Sequence, residues 1–243
     1  MNTHRADYLR YIVLMLNGPR SKIEREIAER RNRDIGPYVG KASSLRILDL
    51  AIGSLQPPYT PLKAAGHRVY GIDLVNRARL NGTNLAYRVA RQIFIWKLSI
   101  PARDLKPKTL VCGSTTVIPF RENGFDLVTS VVAFEQFLDV PAVVAELQRV
   151  LQPGGLAWIG IHLFSSLSGG NDFNLTEVPL RTLPSGIEPW DHLRKKPTMF
   201  RVRLNEWRPD QYVDLVARHF KILNQYGVMR EGEEFLIRTQ KPS

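Results

Sequence analysis

The sequence predicts an α/β fold built on a doubly wound, mostly parallel sheet, and three observations predict it. From Arg46 onward, short runs rich in Val, Ile and Leu alternate with segments of helical pattern. The runs are apolar on both alternating faces, as expected of strands buried under helices on either side. The chain then ends in two apolar runs separated by a Gly-containing turn, a pattern suited to an antiparallel hairpin at a sheet edge.

The five candidate inner strands are Arg46–Ile52, Arg68–Leu74, Leu110–Ser114, Phe125–Phe134 and Leu156–Phe164. Helices are expected between them at Pro61–Ala65, Ala78–Leu98 and Pro141–Leu151. A further helix at Pro209–Phe220 leads into the closing runs Lys221–Val228 and Glu233–Gln240. Ahead of the first strand, Arg5–Asn17 and Ser21–Arg33 read as helices. Gly18-Pro19 reads as a break, and Gly36-Pro37 with Lys41–Ser44 as linker.

With 243 residues the chain can bury a sizeable core, and no apolar run approaches the roughly 20 residues that span a bilayer. The single cysteine, Cys112, excludes an internal disulfide; it reads as a small buried hydrophobe in a cytoplasmic protein. The net charge of +11 is concentrated. Residues 1–46 hold 10 basic against 5 acidic side chains, and residues 75–110 hold 8 against 1. Such segments attract nucleic-acid phosphates, anionic lipids or anionic substrates, and equally serve as solvated helix faces.

Ligands of doubly wound sheets bind beyond the carboxyl ends of the strands. The first strand ends in Asp49 and Gly53, the second in Asp73. An acid about 20 residues past a glycine turn can accept hydrogen bonds from both ribose hydroxyls of a nucleoside cofactor; the same residue could instead cap the following helix. No phosphate loop, metal-spaced Cys/His set or Gly-x-Ser-x-Gly elbow is present.

Leu48-Asp49-x-x-x-Gly53, Ala65-Gly66-His67-Arg68-Val69-Tyr70-Gly71-Ile72-Asp73, Ile118-Pro119-Phe120 before Phe125-Asp126-Leu127-Val128, and Glu146-Leu147-x-Arg149-Val150-Leu151-x-Pro153-Gly154-Gly155 occur in this order. The set resembles the successive motifs of class I S-adenosylmethionine-dependent methyltransferases over residues 45–165. That resemblance implies a Rossmann-like seven-stranded sheet with an antiparallel last strand and S-adenosylmethionine as cofactor. It divides the chain into an N-terminal helical extension, residues 1–45, and a methyltransferase-like domain, 46–243, with 165–207 as a substrate-side insertion. It assigns Asp49, Gly53, Asp73 and Ser114 to the cofactor. The Arg-Val-Leu-x-Pro-Gly-Gly run is architectural.

Two departures stand out. The family's three loop glycines correspond to Ala51, Gly53 and Leu55, so a Cβ occupies two places where backbone approaches the cofactor. At the third strand's end, Ser114 stands where an acid often meets the adenine.

On the acceptor side, Glu135 and Gln136 could line the substrate site or simply start a helix. His162, at the fifth strand's end, is suited to act as general base for a hydroxyl because imidazole titrates near neutrality; a structural role is the alternative. His192 and Asp191, next to Trp190, are comparable candidates in the insertion. The leading expectation is methyl transfer to a small-molecule or glycan hydroxyl. A repurposed, non-catalytic scaffold is the second reading. An RNA methyltransferase is a third, and nucleic acid is not favoured because no RNA-binding module accompanies the basic segments. Peripheral contact with anionic membrane through the Arg-rich first helices is a further expectation.

Overall fold

The computed structural model describes residues 20–39, 44–53, 59–75, 82–100, 109–167, 188–194, 204–228 and 232–241, with Val13, Ser185 and Gly186 besides. Among the described residues there are seven strands: β1 (Arg46–Leu50), β2 (Arg68–Asp73), β3 (Leu110–Cys112), β4 (Phe125–Val131), β5 (Leu151–His162), β6 (Phe220–Val228) and β7 (Gly232–Thr239). They form one sheet in the order β3-β2-β1-β4-β5-β7-β6. β1 pairs in parallel with β2 and β4, β2 with β3, and β4 with β5. β7 runs antiparallel to both β5 and β6, as the closing hairpin predicted. The order reverses between β1 and β4, which opens a crevice at their carboxyl ends.

Successive side chains of a strand point to opposite faces, and here they divide two cores. Leu48, Leu50, Val128 and Ile159 pack with helix α4 (Val140–Val150) and helix α5 (Pro209–His219). Their neighbours Ile47, Leu127 and Trp158 pack with helix α1 (Arg20–Val39) and helix α2 (Tyr59–Ala64). α4 buries Val140, Val143, Val144, Leu147 and Val150, one helical stripe, and starts where Asp139 caps the amide of Ala142 at 3.0 Å. α2 ends in a Schellman turn: Gly66 takes φ +89°, and the amides of Gly66 and His67 donate to Lys63 O and Leu62 O.

Gly36-Pro37, expected as linker, lies inside α1. Proline near a helix end removes a single hydrogen bond. Ile27, Ile35 and Val39 hold the helix on the second core, and Asp34 accepts hydrogen bonds from Trp158 Nε1 at 3.1 Å and Tyr226 Oη at 2.7 Å. The expected helix Arg5–Asn17 lies outside the described residues except Val13. Cys112 is exposed rather than buried, because it ends a three-residue strand at the sheet edge.

The Arg-Val-Leu-x-Pro-Gly-Gly run acts as architecture. Arg149 donates to Phe120 O and Ile118 O at 2.8 and 2.7 Å and pairs with Glu146, which in turn accepts from the Ile118 amide. β5 begins at Leu151, five residues before the expected start, and bulges where Phe125 pairs with Leu151 but Leu127 with Leu156. The bulge needs Gly155, since a Cβ there would lie 2.9 Å from Gln152 O.

Candidate active site

The loop leaving β1 keeps a left-handed backbone despite its substitutions. Ala51 takes φ +51° and Gly53 takes φ +63°. An L-residue in this region costs about 1–2 kcal/mol, so Ala51 holds strain that a glycine would not. The turn is clasped from β2: the Gly53 amide donates to Asp73 Oδ2 at 3.0 Å, and the Val75 amide to Asp73 Oδ1 at 2.8 Å. Behind the clasp, Gly71 admits Ile52, Leu110 and Tyr59; a Cβ there would stand 2.8 Å from the first two. Leu55 lies outside the described residues. Ser114, after β3, turns its hydroxyl to Thr116, whose amide donates to it at 3.1 Å.

Asp49 lies beneath this loop, fully buried, with Thr129 Oγ1 donating to its Oδ1 at 2.9 Å. Burial raises its pKa from 3.8 to about 7, opposed by the Thr129 bond and the Arg31 charge. Arg31 and Glu24, both buried on α1, complete a charged group that the sequence analysis did not single out. A signal existed: Glu24, Ile27, Arg31 and Ile35 follow i, i+3, i+7, i+11 spacing, which puts two charges on an apolar face.

At the other side of the crevice, Glu135 follows β4 in a short 3-10 turn (Phe134–Gln136) and is 1% exposed. Neither of its carboxyl oxygens makes a hydrogen bond of ordinary geometry. Burial raises its pKa from 4.5 to about 8, opposed by its own amide, the Gln136 side chain and the His162 amide. The structure thus brings Glu135, Gln136 and His162 together at the ends of β4 and β5.

Asn205, about 70 residues away in sequence, clamps this turn. Its Nδ2 donates to Phe134 O and Phe137 O at 2.7 and 2.9 Å, and its amide donates to Glu135 O. Tyr212 Oη donates to Asn205 Oδ1 at 3.0 Å, and burial raises the Tyr212 phenol above its ordinary range. No motif marked Asn205, because its role depends wholly on tertiary contacts.

Trp190, Asp191 and His192 form a turn tied back to the end of β5. The Trp190 amide donates to Leu167 O, and His192 Nε2 lies 2.7 Å from Phe164 O with its ring edge-on to Phe164. Asp191 accepts from the Glu188 amide at 2.9 Å and from Arg194 at 3.0 Å.

A clasped left-handed turn at the first strand's end suits a nucleoside cofactor. Among the described residues, a Cβ on Gly53 would meet nothing closer than Ala51 O at 4.0 Å. Together with the strand order, this defines a class I methyltransferase scaffold. Residues 48–159 match the family model described as a methyltransferase domain, and the chain has the fold of S-adenosylmethionine-dependent methyltransferases, enzymes whose cofactor is S-adenosylmethionine.

Over 120 residues the chain is 28% identical to the biotin biosynthesis bifunctional protein BioHC of Saccharophagus degradans, covering 49% of this chain and 21% of that protein. Over 54 residues it is 41% identical to the uncharacterized protein YafE of Escherichia coli, covering 22% and 26%. The chain therefore spans about a fifth to a quarter of these curated relatives. Among solved structures it resembles an S-adenosylmethionine-dependent methyltransferase of Thermotoga maritima, described as a possible histamine N-methyltransferase (TM-score 0.56, 14% identity, 97% and 96% covered). It also resembles the 4+2 cyclase SpnF (TM-score 0.51, 14% identity, 87% and 80% covered). At such identities the likeness is one of fold.

Proposed function

We propose that this chain transfers the methyl group of S-adenosylmethionine to a hydroxyl oxygen of a small-molecule or glycan acceptor. The observation that carries this reading is the clasp between Gly53 and Asp73, which keeps the cofactor turn in its left-handed form although only one loop glycine remains. Asp73 would meet the ribose with its remaining lone pairs, Gly53 would let the methionine part approach, and Ser114 would face the base. Asp49 would hold the turn from below. When bound, the cofactor supplies an electrophilic methyl group on a sulfonium sulfur.

On the acceptor side, His162 takes the hydroxyl proton, and Glu135, which burial keeps largely protonated at neutral pH, lies beside His162 at the end of β5. Gln136 and Trp190 border the acceptor, and Asp191 and His192 shape the turn that closes over it. Alignment of nucleophile and methyl group supplies much of the rate, since effective molarities reach ~10⁵ M or more. The biotin-biosynthesis relative supports a small-molecule acceptor.

The strained Ala51 and a fold neighbour named as a cyclase favour a second reading, a repurposed scaffold. Incubation with methyl-labelled cofactor and a panel of hydroxyl compounds, glycans and RNA separates the readings. Label should appear on a hydroxyl acceptor and be lost in His162→Ala while cofactor binding persists. Cofactor binding without transfer to any acceptor would favour the repurposed scaffold, and label on RNA alone would establish the nucleic-acid reading.

A further inference from the structure

Helix α3 (Gly82–Lys97) carries apolar side chains on two faces. Ala90, Phe94 and Ile95 are buried, as a surface helix requires. On the outward face, Val89, Ile93 and Trp96 are 55%, 38% and 77% exposed. Their i, i+4, i+7 spacing lines them up in one stripe. Apolar residues scattered singly over a surface are ordinary, but an aligned stripe of this kind marks a contact.

Among the described residues of α3, cations flank the stripe. At 100° per residue, Arg88 lies on one side of it and Lys97 on the other. Arg91 is drawn below its ordinary pKa by burial and by the nearby Arg88 charge, a sign of crowded cations. The Arg25 guanidinium of α1 donates to the backbone carbonyl of Lys97. Helices α1 and α3, one from each basic segment, therefore meet at Lys97, the residue after Trp96, although some 70 residues separate Arg25 from Lys97. The acids on this part of α1 are the buried Glu24, Glu26, which pairs with Lys22 at 3.9 Å, and the exposed Glu29.

We propose that this face docks on an anionic lipid surface. Trp96, Ile93 and Val89 would enter the boundary between headgroups and acyl chains, while Arg88, Lys97 and Arg25 would meet the phosphates. A bilayer surface offers hydrocarbon and phosphate side by side, which is what a stripe with a basic rim matches. Long basic side chains reach headgroups while their stems cover apolar surface. A nucleic acid would satisfy the cations but leave an aligned Val-Ile-Trp stripe without a partner. The docking face is on the outside of α3, so the proposal stands independently of the methyl-transfer reading.

Co-sedimentation of the full chain with vesicles tests it. Vesicles of phosphatidylcholine with about a third phosphatidylglycerol should bind at least tenfold more tightly than phosphatidylcholine alone, and added salt should weaken the binding. Trp96→Glu and Val89→Glu should each lower that binding roughly tenfold with an unchanged melting temperature, since both side chains are exposed. Vesicles should shift tryptophan emission to the blue in the native chain but not in Trp96→Phe. Equal binding to neutral vesicles, indifference to Trp96→Glu, or Trp96-dependent self-association without lipid would each overturn the proposal. Salt-sensitive binding to RNA with no binding to anionic vesicles would overturn it in favour of a nucleic-acid partner.

Discussion

The two sides of the crevice each hold a buried acid at a strand end, and they treat it in opposite ways. Asp73, after β2, receives two backbone amides at 3.0 and 2.8 Å. Glu135, after β4, is as deeply buried but neither oxygen has a well-formed donor, and burial lifts its pKa to about 8. Burying a carboxylate is tolerable when donors compensate it, and otherwise the group takes up a proton. The proposed cofactor side is thus a fixed clasp, and the proposed acceptor side is a titratable region near the proposed base. The same fold supplies both because short loops at the ends of β1 and β2 can aim amides inward, whereas the turn after β4 spends its backbone groups on Asn205.

The largest expected effect comes from breaking the clasp. Asp73→Ala leaves the Gly53 and Val75 amides without their acceptor and should cost about 3 kcal/mol of stability. Cofactor affinity should fall by about 30-fold or more in a titration, because the left-handed turn loses its anchor. Retention of full affinity would mean that the turn is held by something else.

A smaller effect should follow at Glu135. Its carboxyl titrates at about 8 in the fold against 4.5 as its ordinary value. The stability linked to it is complete below the unfolded value and is lost as pH rises through about 8. The stability of Glu135→Gln in denaturant unfolding should therefore fall less steeply than that of the native chain between about pH 5 and pH 8. A slope should persist to about pH 7 from Asp49, whose pKa is raised in the same direction. An identical pH profile in native chain and variant would contradict the buried, uncompensated acid.

The smallest effect sharpens the cofactor side. Ala51→Gly removes the strain at φ +51° but adds freedom to the unfolded chain, for a net gain of about 0.5–1 kcal/mol in thermal unfolding. A loss of stability would show that the left-handed turn carries no strain.

Much of this arrangement is legible in the sequence, and for identifiable reasons. The runs of Val, Ile and Leu located all seven strands because both faces of the sheet are covered. The hairpin turn announced the antiparallel edge, and Asp73 and Gly53 stand where strand-end chemistry puts them. What escaped is what depends on packing. α1 continues through Gly36-Pro37 because Ile35 and Val39 are anchored on the core beneath, which local breaker signals do not register. Cys112 is exposed because its strand is short and lies at the sheet edge. Asn205 was invisible because a polar residue in a loop reveals its partners only once β4 and α5 are assembled.

Thermal unfolding with and without S-adenosylmethionine, repeated with S-adenosylhomocysteine, tests most directly the claim that the clasped turn still holds cofactor. At 100 times Kd the ligand should add ~2.7 kcal/mol to the native state, a rise of roughly 5–10 °C for a chain of this size. With a roughly 30-fold loss of affinity, the same ligand concentrations should shift Asp73→Ala by no more than about a third as much. No rise in the native chain at millimolar ligand would contradict the central claim and leave the clasp as architecture without cofactor.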